Sequence, residues 1–490
     1  MTRKKTDIET EAGETRIEIE LPLDEKDLFD EQTEAVKRGS RSSTKVGGGS
    51  LAAAISGIEL GSEQAEVFKL MEKTSDNYFI TGKAGAGKSV LLSYFITHTD
   101  KQVAVVAPTG VAAVNVGGQT IHSFFKLGLG VQDFKNRKQV ADLKDHQTKV
   151  IAKLDTLVID EISMVSADVL DMIDAKMRYA RGIDEPFGGC QVIAFGDLYQ
   201  LSPIAPKGPA AVFMADHYDS IHFFSSNVVK ERPFHIIELT QVFRQTDPIF
   251  IELLNQVRLG RVDPTLINSI NSNCLMQPPA ETNYITLTAI NQIADALNES
   301  RLMELSTHQR IYESEIDGAF KPGEYPAPSV LVLRTGAQIM MAKNDHPDEE
   351  TGKPRRRWVN GSLGTIAGLG ENAIWVEIDG REYRVEPEEW DKYEYTYNRE
   401  TGELEKHTIA TFRQFPIKLA YAITIHKSQG QTYDAVKVDL GRGAFATGQT
   451  YVALSRCRSL ETLYLEKPLR PSDIRVDQKV IDFMENNRIM

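Results

Sequence analysis

The sequence predicts an α/β protein of two parallel-sheet units, the second carrying a small β-barrel insertion. Three observations predict it. From residue 51 onward, short apolar runs alternate with longer helical stretches, at 78–80, 103–107, 157–159 and 192–195, then at 284–287, 339–341, 436–440 and 463–465. Strands that are apolar throughout are buried on both faces, as in a parallel sheet covered by helices. The runs fall into two sets, which points to two such units side by side. Residues 362–412 alternate instead: Ile374-Trp375-Val376-Glu377-Ile378 and Tyr383-Arg384-Val385 flank Asp379-Gly380, a hairpin signal.

The composition bounds the rest. A chain of 490 residues has room for about three domains. With 41% hydrophobic and 26% charged residues it can bury ordinary cores, which excludes a fully disordered, collagen-like or repeat-only protein. The net charge of −13 does not suggest a basic nucleic-acid binder. Cys190, Cys274 and Cys457 lie far apart, without zinc-ligand or iron–sulfur spacing, and no disulfide framework is expected. A reducing cytosol or bacterial nucleoid, or that of a phage-infected cell, is the natural setting. No apolar stretch is long enough for a membrane span, and an acidic run follows Met1–Lys5 where a signal peptide needs an apolar one.

Along the chain, residues 1–50 read as a disordered acidic tail and linker. The first 34 residues carry twelve acids against five bases, and 37–50 are basic, then Ser/Gly-rich. The segment around Ile17-Glu18-Ile19-Glu20-Leu21 could dock a protein partner. Residues 51–230 form the first unit and 231–490 the second, with the insertion at 362–412.

GKAGAGKS at 82–89 matches GxxxxGK[ST] between a predicted strand and a helix. Gly82, Gly85 and Gly87 let backbone N–H groups curl round phosphate oxygens, and the helix N-terminus adds its dipole. Lys88 then reaches the β- and γ-phosphates and Ser89 ligates Mg²⁺. The strand at 157–159 ends in Asp160-Glu161. Asp160 suits Mg²⁺ through water, and Glu161 suits the base that orients the attacking water. The run 192–195 also leads to an acid, Asp197, with Gln200 placed to sense the γ-phosphate.

Beyond the phosphate loop, several blocks follow in order: 58–64, Ala107-Pro108-Thr109-Gly110, Thr120-Ile121-His122-Ser123-Phe124, Asp160-Glu161-Ile162-Ser163-Met164 and Gly196-Asp197-Leu198-Tyr199-Gln200-Leu201-Ser202-Pro203. Glu238-Leu239-Thr240-Gln241-Val242-Phe243-Arg244-Gln245 opens the second unit. Thr424-Ile425-His426-Lys427-Ser428-Gln429-Gly430 and Tyr451-Val452-Ala453-Leu454-Ser455-Arg456 complete the set. From about 58 to 475 the chain resembles the Pif (petite integration frequency) helicases, in the 5′→3′ branch of helicase superfamily one. The stretch after Met164 and Pro186-Phe187-Gly188-Gly189 strengthen the likeness. Ser202 departs from it, where the family more usually has Pro.

The resemblance implies two RecA-like P-loop domains with ATP between them. It also implies an ATP-dependent DNA helicase, with roles in replication, recombination or repair and at telomere or G-quadruplex structures. Gln64 would read the adenine edge, and Arg244 and Arg456 would act as arginine fingers. Pro108, Thr109, Thr120, His122, Asn360, His426, Lys427 and Ser428 would contact single-stranded DNA or a single-strand/duplex junction. Phe124 and Phe125 read better as core than as base-stacking rings. His222 and His235 read as structural. The basic clusters 135–138 and 355–357 could line a DNA track or simply be solvated. A polar stretch at 125–150 is expected to hold the strand-splitting wedge. A Dda- or RecD-like helicase, or a translocase that strips proteins without unwinding, is the alternative.

Overall fold

A computed structural model describes residues 60–487 apart from 129, 246, 280–281, 321, 346–356 and 398–403. The tail at 1–50, and Arg355 and Arg356 of the second basic cluster, lie outside the described residues.

The first sheet is parallel and six-stranded: β1 (Tyr78–Gly82), β2 (Val103–Ala107), β3 (Gln119–Thr120), β4 (Thr156–Ile159), β5 (Gln191–Phe195) and β6 (His235–Leu239), in the order β3-β2-β4-β5-β1-β6. β1, β4 and β5 are buried along their whole length, which is why they read as unbroken apolar runs. Helices α1 (Ser62–Lys73), α2 (Lys88–His98), α3 (Gly110–Asn115), α4 (Ile121–Phe124), α5 (Asp145–Lys153) and α6 (Ala167–Arg181) accompany it. One core holds Phe79, Ile159, Phe187 and Val192, and a second, holding Ile80, Phe95, Val158 and Phe195, lies on alternate residues of the same strands.

β6 pairs with β1 from Tyr78↔His235 to Gly82↔Leu239. The first unit therefore runs through Leu239, and the boundary expected at 230/231 falls short. Glu238 and Leu239 close the first sheet rather than open the second unit.

The second parallel sheet has β7 (Ile285–Thr288) paired with β18 (Ala422–Thr424) and β19 (Val436–Asp439), which pairs with β20 (Leu463–Leu465). Around it run α7 (Pro248–Arg258), α8 (Pro264–Cys274), α9 (Asn291–Met303), α10 (Gln449–Leu454) and α11 (Gln478–Asn486). Buried residues of both sheets join in one core, so the units share packing rather than meeting at a hydrated seam.

The insertion is larger than 362–412. It holds β8 (Gln309–Glu313), β9 (Glu315–Gly318), β10 (Val330–Arg334), β11 (Gln338–Met341), β12 (Leu363–Leu369), β13 (Ile374–Ile378), β14 (Arg381–Val385), β15 (Glu388–Tyr397), β16 (Leu404–Gln414) and β17 (Ile417–Leu419). These form three antiparallel sheets, β14-β13-β12-β11-β17, β10-β8 and β15-β16-β9. Among the described residues no ladder closes them into a barrel. β11, read from sequence as a strand of the parallel unit, belongs here. Ile339, Met340 and Met341 are all buried, so the pattern matches a parallel strand. No described helix is long and apolar enough to cross a membrane.

Candidate nucleotide site and nucleic-acid face

The phosphate loop joins β1 to α2. Gly82, Gly85 and Gly87 all have positive φ (148°, 84° and 80°), a region costly to side chains. A Cβ at Gly82 would lie 2.6 Å from Leu239 O, and one at Gly85 would collide with the Arg244 side chain. Lys88 opens α2, and its Nζ donates to Gly82 O at 2.6 Å and Lys83 O at 3.2 Å. Burial lowers the Lys88 pKa, while Asp197 and Glu161 oppose that shift.

Around this loop lies a cleft of about 360 Å³, lined by Lys88, Ser89, Glu161 and Gln200 of the first unit and by Phe243, Arg244, Arg456 and Arg458. Asp160 and Glu161 follow β4, and Glu161 is held at φ 50°, a strained conformation for a residue with a side chain. Burial, then the charge of Glu161, push Asp160 up to about 7. Burial also raises Glu161, against the pull of Lys88 and Arg456. Gln200 is buried, and its Nε2 donates to Asp197 Oδ2 at 3.2 Å.

The two arginines differ. Arg244 donates once, from Nη1 to Ser455 O at 3.3 Å, and burial beside Arg456 lowers its pKa to about 9. Arg456 is 1% exposed and spends its donors on Val452 O (2.9 Å), Gln431 O (3.2 Å), Ser428 O (3.5 Å) and Ser455 Oγ (2.9 Å). Gln64 lies beside the loop rather than in the cleft lining. Its Nε2 donates to Gly87 O at 3.2 Å and its Oε1 accepts from Gly61 N at 3.2 Å.

Sequence reasoning missed several residues here. Phe243, 52% exposed, lines the cleft against Gly87 and Gly61 and offers an aromatic face to a base. Tyr451 Oη accepts the Ala84 N–H at 2.9 Å, and Gln429 Nε2 donates to Glu161 Oε2 at 3.0 Å. Arg258 pairs with Asp197 at 3.1 Å. A glutamine or arginine in a helix or loop carries no motif of its own; only the fold brings these to the phosphate loop.

The expected nucleic-acid residues divide. His426 and Lys427 are exposed. Thr109 and Thr120 cap α3 and α4, their hydroxyls accepting from Ala112 N at 3.2 Å and Ser123 N at 3.3 Å. Pro108 precedes that first cap, and burial lowers the His122 pKa. Asn360 Nδ2 donates to Asn115 Oδ1 at 3.3 Å, which ties the insertion to the end of α3. Ser428 corrects an expectation: it is fully buried and its hydroxyl donates to Ile425 O at 2.7 Å, so it shapes the turn and presents no side-chain atom to a phosphate.

Phe124 and Phe125 are core residues, as read. His222 is enclosed, its Nε2 2.8 Å from Asp477 Oδ2, whereas His235 is exposed. Residues 135–138 are exposed, and Arg357 pairs with Asp345 at 2.7 Å and stacks on Trp358. Part of the 125–150 stretch is core: Phe125, Gln147 and Val150 are buried, and α5 packs on α6 and β15, with His146 Nε2 2.8 Å from Glu394 Oε1. Among the described residues the exposed remainder lies within 126–145.

The profile of the family described as PIF1-like helicase matches residues 59–266. Across 434 residues the chain is 34% identical to the ATP-dependent DNA helicase Pif1 of Bdellovibrio bacteriovorus, covering 87% of this chain and 92% of that protein. The human ATP-dependent DNA helicase PIF1 is also 34% identical, over 87% of this chain and 63% of its own length. Among solved structures, Bacteroides Pif1 in complex with ADP-AlF4 superposes with a TM-score of 0.79 at 36% identity, covering 88% of this chain and 97% of that one. The same protein bound to single-stranded DNA superposes at 0.63. A phosphate loop facing acids and arginines across two parallel sheets, on a chain this similar to such proteins, has one assignment: it belongs to the Pif1 family and is an ATP-dependent DNA helicase.

Proposed function

We propose that the chain translocates 5′→3′ along single-stranded DNA and splits duplex at a single-strand/duplex junction, drawing on ATP hydrolysis in the cleft. The cleft carries the ATP-driven part of this reading, and family membership its polarity: Lys88, Ser89, Glu161 and Gln200 on one side face Arg244, Arg456 and Arg458 on the other. A ligand that touches both sides favours the closed arrangement by its differential contacts.

In that cleft Lys88 holds the β- and γ-phosphates and the loop N–H groups hold the rest. Glu161, oriented by Gln429, positions and deprotonates the attacking water. Arg244, with donors to spare, stabilises charge on the transferring phosphoryl group, and Arg456 holds the loops that frame it. Gln64 fixes the nucleobase end, with Phe243 against the base. Ser89 lines the cleft and Asp160 follows β4 beside Glu161, oxygen donors of the kind Mg²⁺ takes. Bound there, Mg²⁺ neutralises phosphate charge.

Pro108, Thr109, Thr120, His122, Asn360, His426 and Lys427 supply the strand-holding face, and the exposed part of 125–150, within 126–145, supplies the wedge. The acidic segment 1–34 suits a protein partner rather than DNA, which it would repel. The setting is the cytoplasm or nucleoid, with work in replication, recombination and repair.

Polarity is tested by streptavidin displacement from oligonucleotides biotinylated at either end. Displacement from the 3′ end with ATP is expected; displacement from the 5′ end alone would reverse the assignment.

A further inference from the structure

Arg258 ends α7 and is 3% exposed. Arginine is almost never enclosed to that degree unless paired. Its Nη2 donates to Asp197 Oδ1 at 3.1 Å and its Nη1 to Glu238 Oε1 at 3.2 Å. The guanidinium lies 4.3 Å from the centroid of the Tyr199 ring. Burial disfavours its charge, but Asp197, with smaller help from Tyr451 and Glu238, more than offsets that. Asp197 is wholly buried, and its second oxygen accepts the Gln200 amide at 3.2 Å. Two contacts therefore connect Arg258 to a residue lining the nucleotide cleft. α7 packs on α10, the helix that brings Tyr451 to the phosphate loop. Gly448, just before α10, lies so close to the Gln200 backbone that a Cβ there would collide with it.

We propose that Arg258 is a positioning residue for ATP hydrolysis: it fixes Asp197, and through Asp197 the Gln200 amide, tying the phosphate sensor of the first unit to α7 of the second. The proposal rests on the reading of Gln200 as the group facing the terminal phosphate. A planar guanidinium holds two carboxylates and a ring face at once; a lysine ammonium does not. Loss of Arg258 leaves Asp197 a buried carboxylate without the guanidinium, its Oδ1 held by the Tyr199 N–H at 3.2 Å and less to fix Oδ2 against the Gln200 amide.

The test is steady-state ATPase of the full chain with single-stranded DNA, for Arg258→Lys, Arg258→Gln, Gln200→Ala and the Arg258→Gln/Gln200→Ala double variant, with melting temperatures alongside. Arg258→Gln is expected to lower kcat by about 10- to 100-fold, the scale on which a misplaced group slows a step. KM for ATP stays within about twofold, Arg258→Lys falls between, and the double variant is within about twofold of Gln200→Ala, because both act through one amide. Wild-type kcat in folded Arg258→Gln beside an impaired Gln200→Ala overturns the proposal, as does a double variant whose losses multiply. Wild-type kcat in Gln200→Ala instead removes the sensor reading, and the proposal with it. Should Arg258→Gln melt early, Arg258→Lys decides: lowered kcat at unchanged KM and melting temperature upholds the proposal, and wild-type kcat overturns it.

Discussion

Gln429 Nε2 and Glu161 Oε2 are joined by a 3.0 Å hydrogen bond that crosses from the second parallel-sheet unit to the first. The bond holds the side chain proposed to orient water, and it comes from the loop that also carries His426 and Lys427. A strand contact at Lys427 would therefore lie two residues from a contact to the proposed base.

Glu161→Gln should bind ATP and stall, with kcat lower by about 10²- to 10⁴-fold, the range for loss of a general base. Gln429→Ala should keep ATP binding but lose much of the stimulation by single-stranded DNA while basal hydrolysis falls less. Rates with and without oligonucleotide check both; unchanged stimulation in Gln429→Ala would separate this bond from DNA sensing.

Arg244→Ala should cut kcat by on the order of 10³ at near-normal ATP binding and melting temperature, as an arginine finger with spare donors does. Arg456→Ala should lose activity and stability together. It strips the buried Gln431 carbonyl of the Arg456 donor, a cost of about 1–3 kcal/mol for a group left unpaired, and leaves Val452 O only the Ser455 hydroxyl. Thermal melts beside ATPase rates distinguish the two; equal stability losses would show that both arginines are structural.

Gly85→Ala should abolish nucleotide binding in a protein that still folds. The φ of 84° and the Arg244 side chain leave no room for a methyl group, and relief requires moving the loop or the arginine. Fluorescent-nucleotide titration checks it, and near-normal affinity would show that the loop yields easily.

Lys427→Ala should weaken single-stranded DNA binding and reduce its salt slope by roughly 0.7, the share of one phosphate contact. Ser428→Ala should leave affinity unchanged and lower the melting temperature, since its hydroxyl is spent on Ile425 O. Fluorescence anisotropy across salt concentrations gives both answers; a changed slope in Ser428→Ala would put that side chain back on the DNA face.

Much of the cleft was legible in the sequence because its first-unit residues sit at strand ends with motif spacing: 82–89, Asp160-Glu161 and Gln200 each follow a buried apolar run. The second-unit contributions were less so. Gln429 and Tyr451 fell inside recognised blocks but their roles depend on the facing unit, and Arg258 lies in no block at all. Boundaries failed where pattern is ambiguous. β6 reads HIIEL and could join either sheet, and β11, buried on both sides, imitates a parallel strand. Ser428 misled because a hydroxyl beside an exposed lysine is as able to tie a turn as to meet a phosphate.

Strand displacement from duplexes bearing a 5′ or a 3′ single-stranded tail, with ATP and Mg²⁺ and with Glu161→Gln as control, tests the account most directly. Unwinding that requires the 5′ tail and vanishes in Glu161→Gln is the predicted result. Equal unwinding from the 3′ tail, or unwinding that persists in Glu161→Gln, would contradict it.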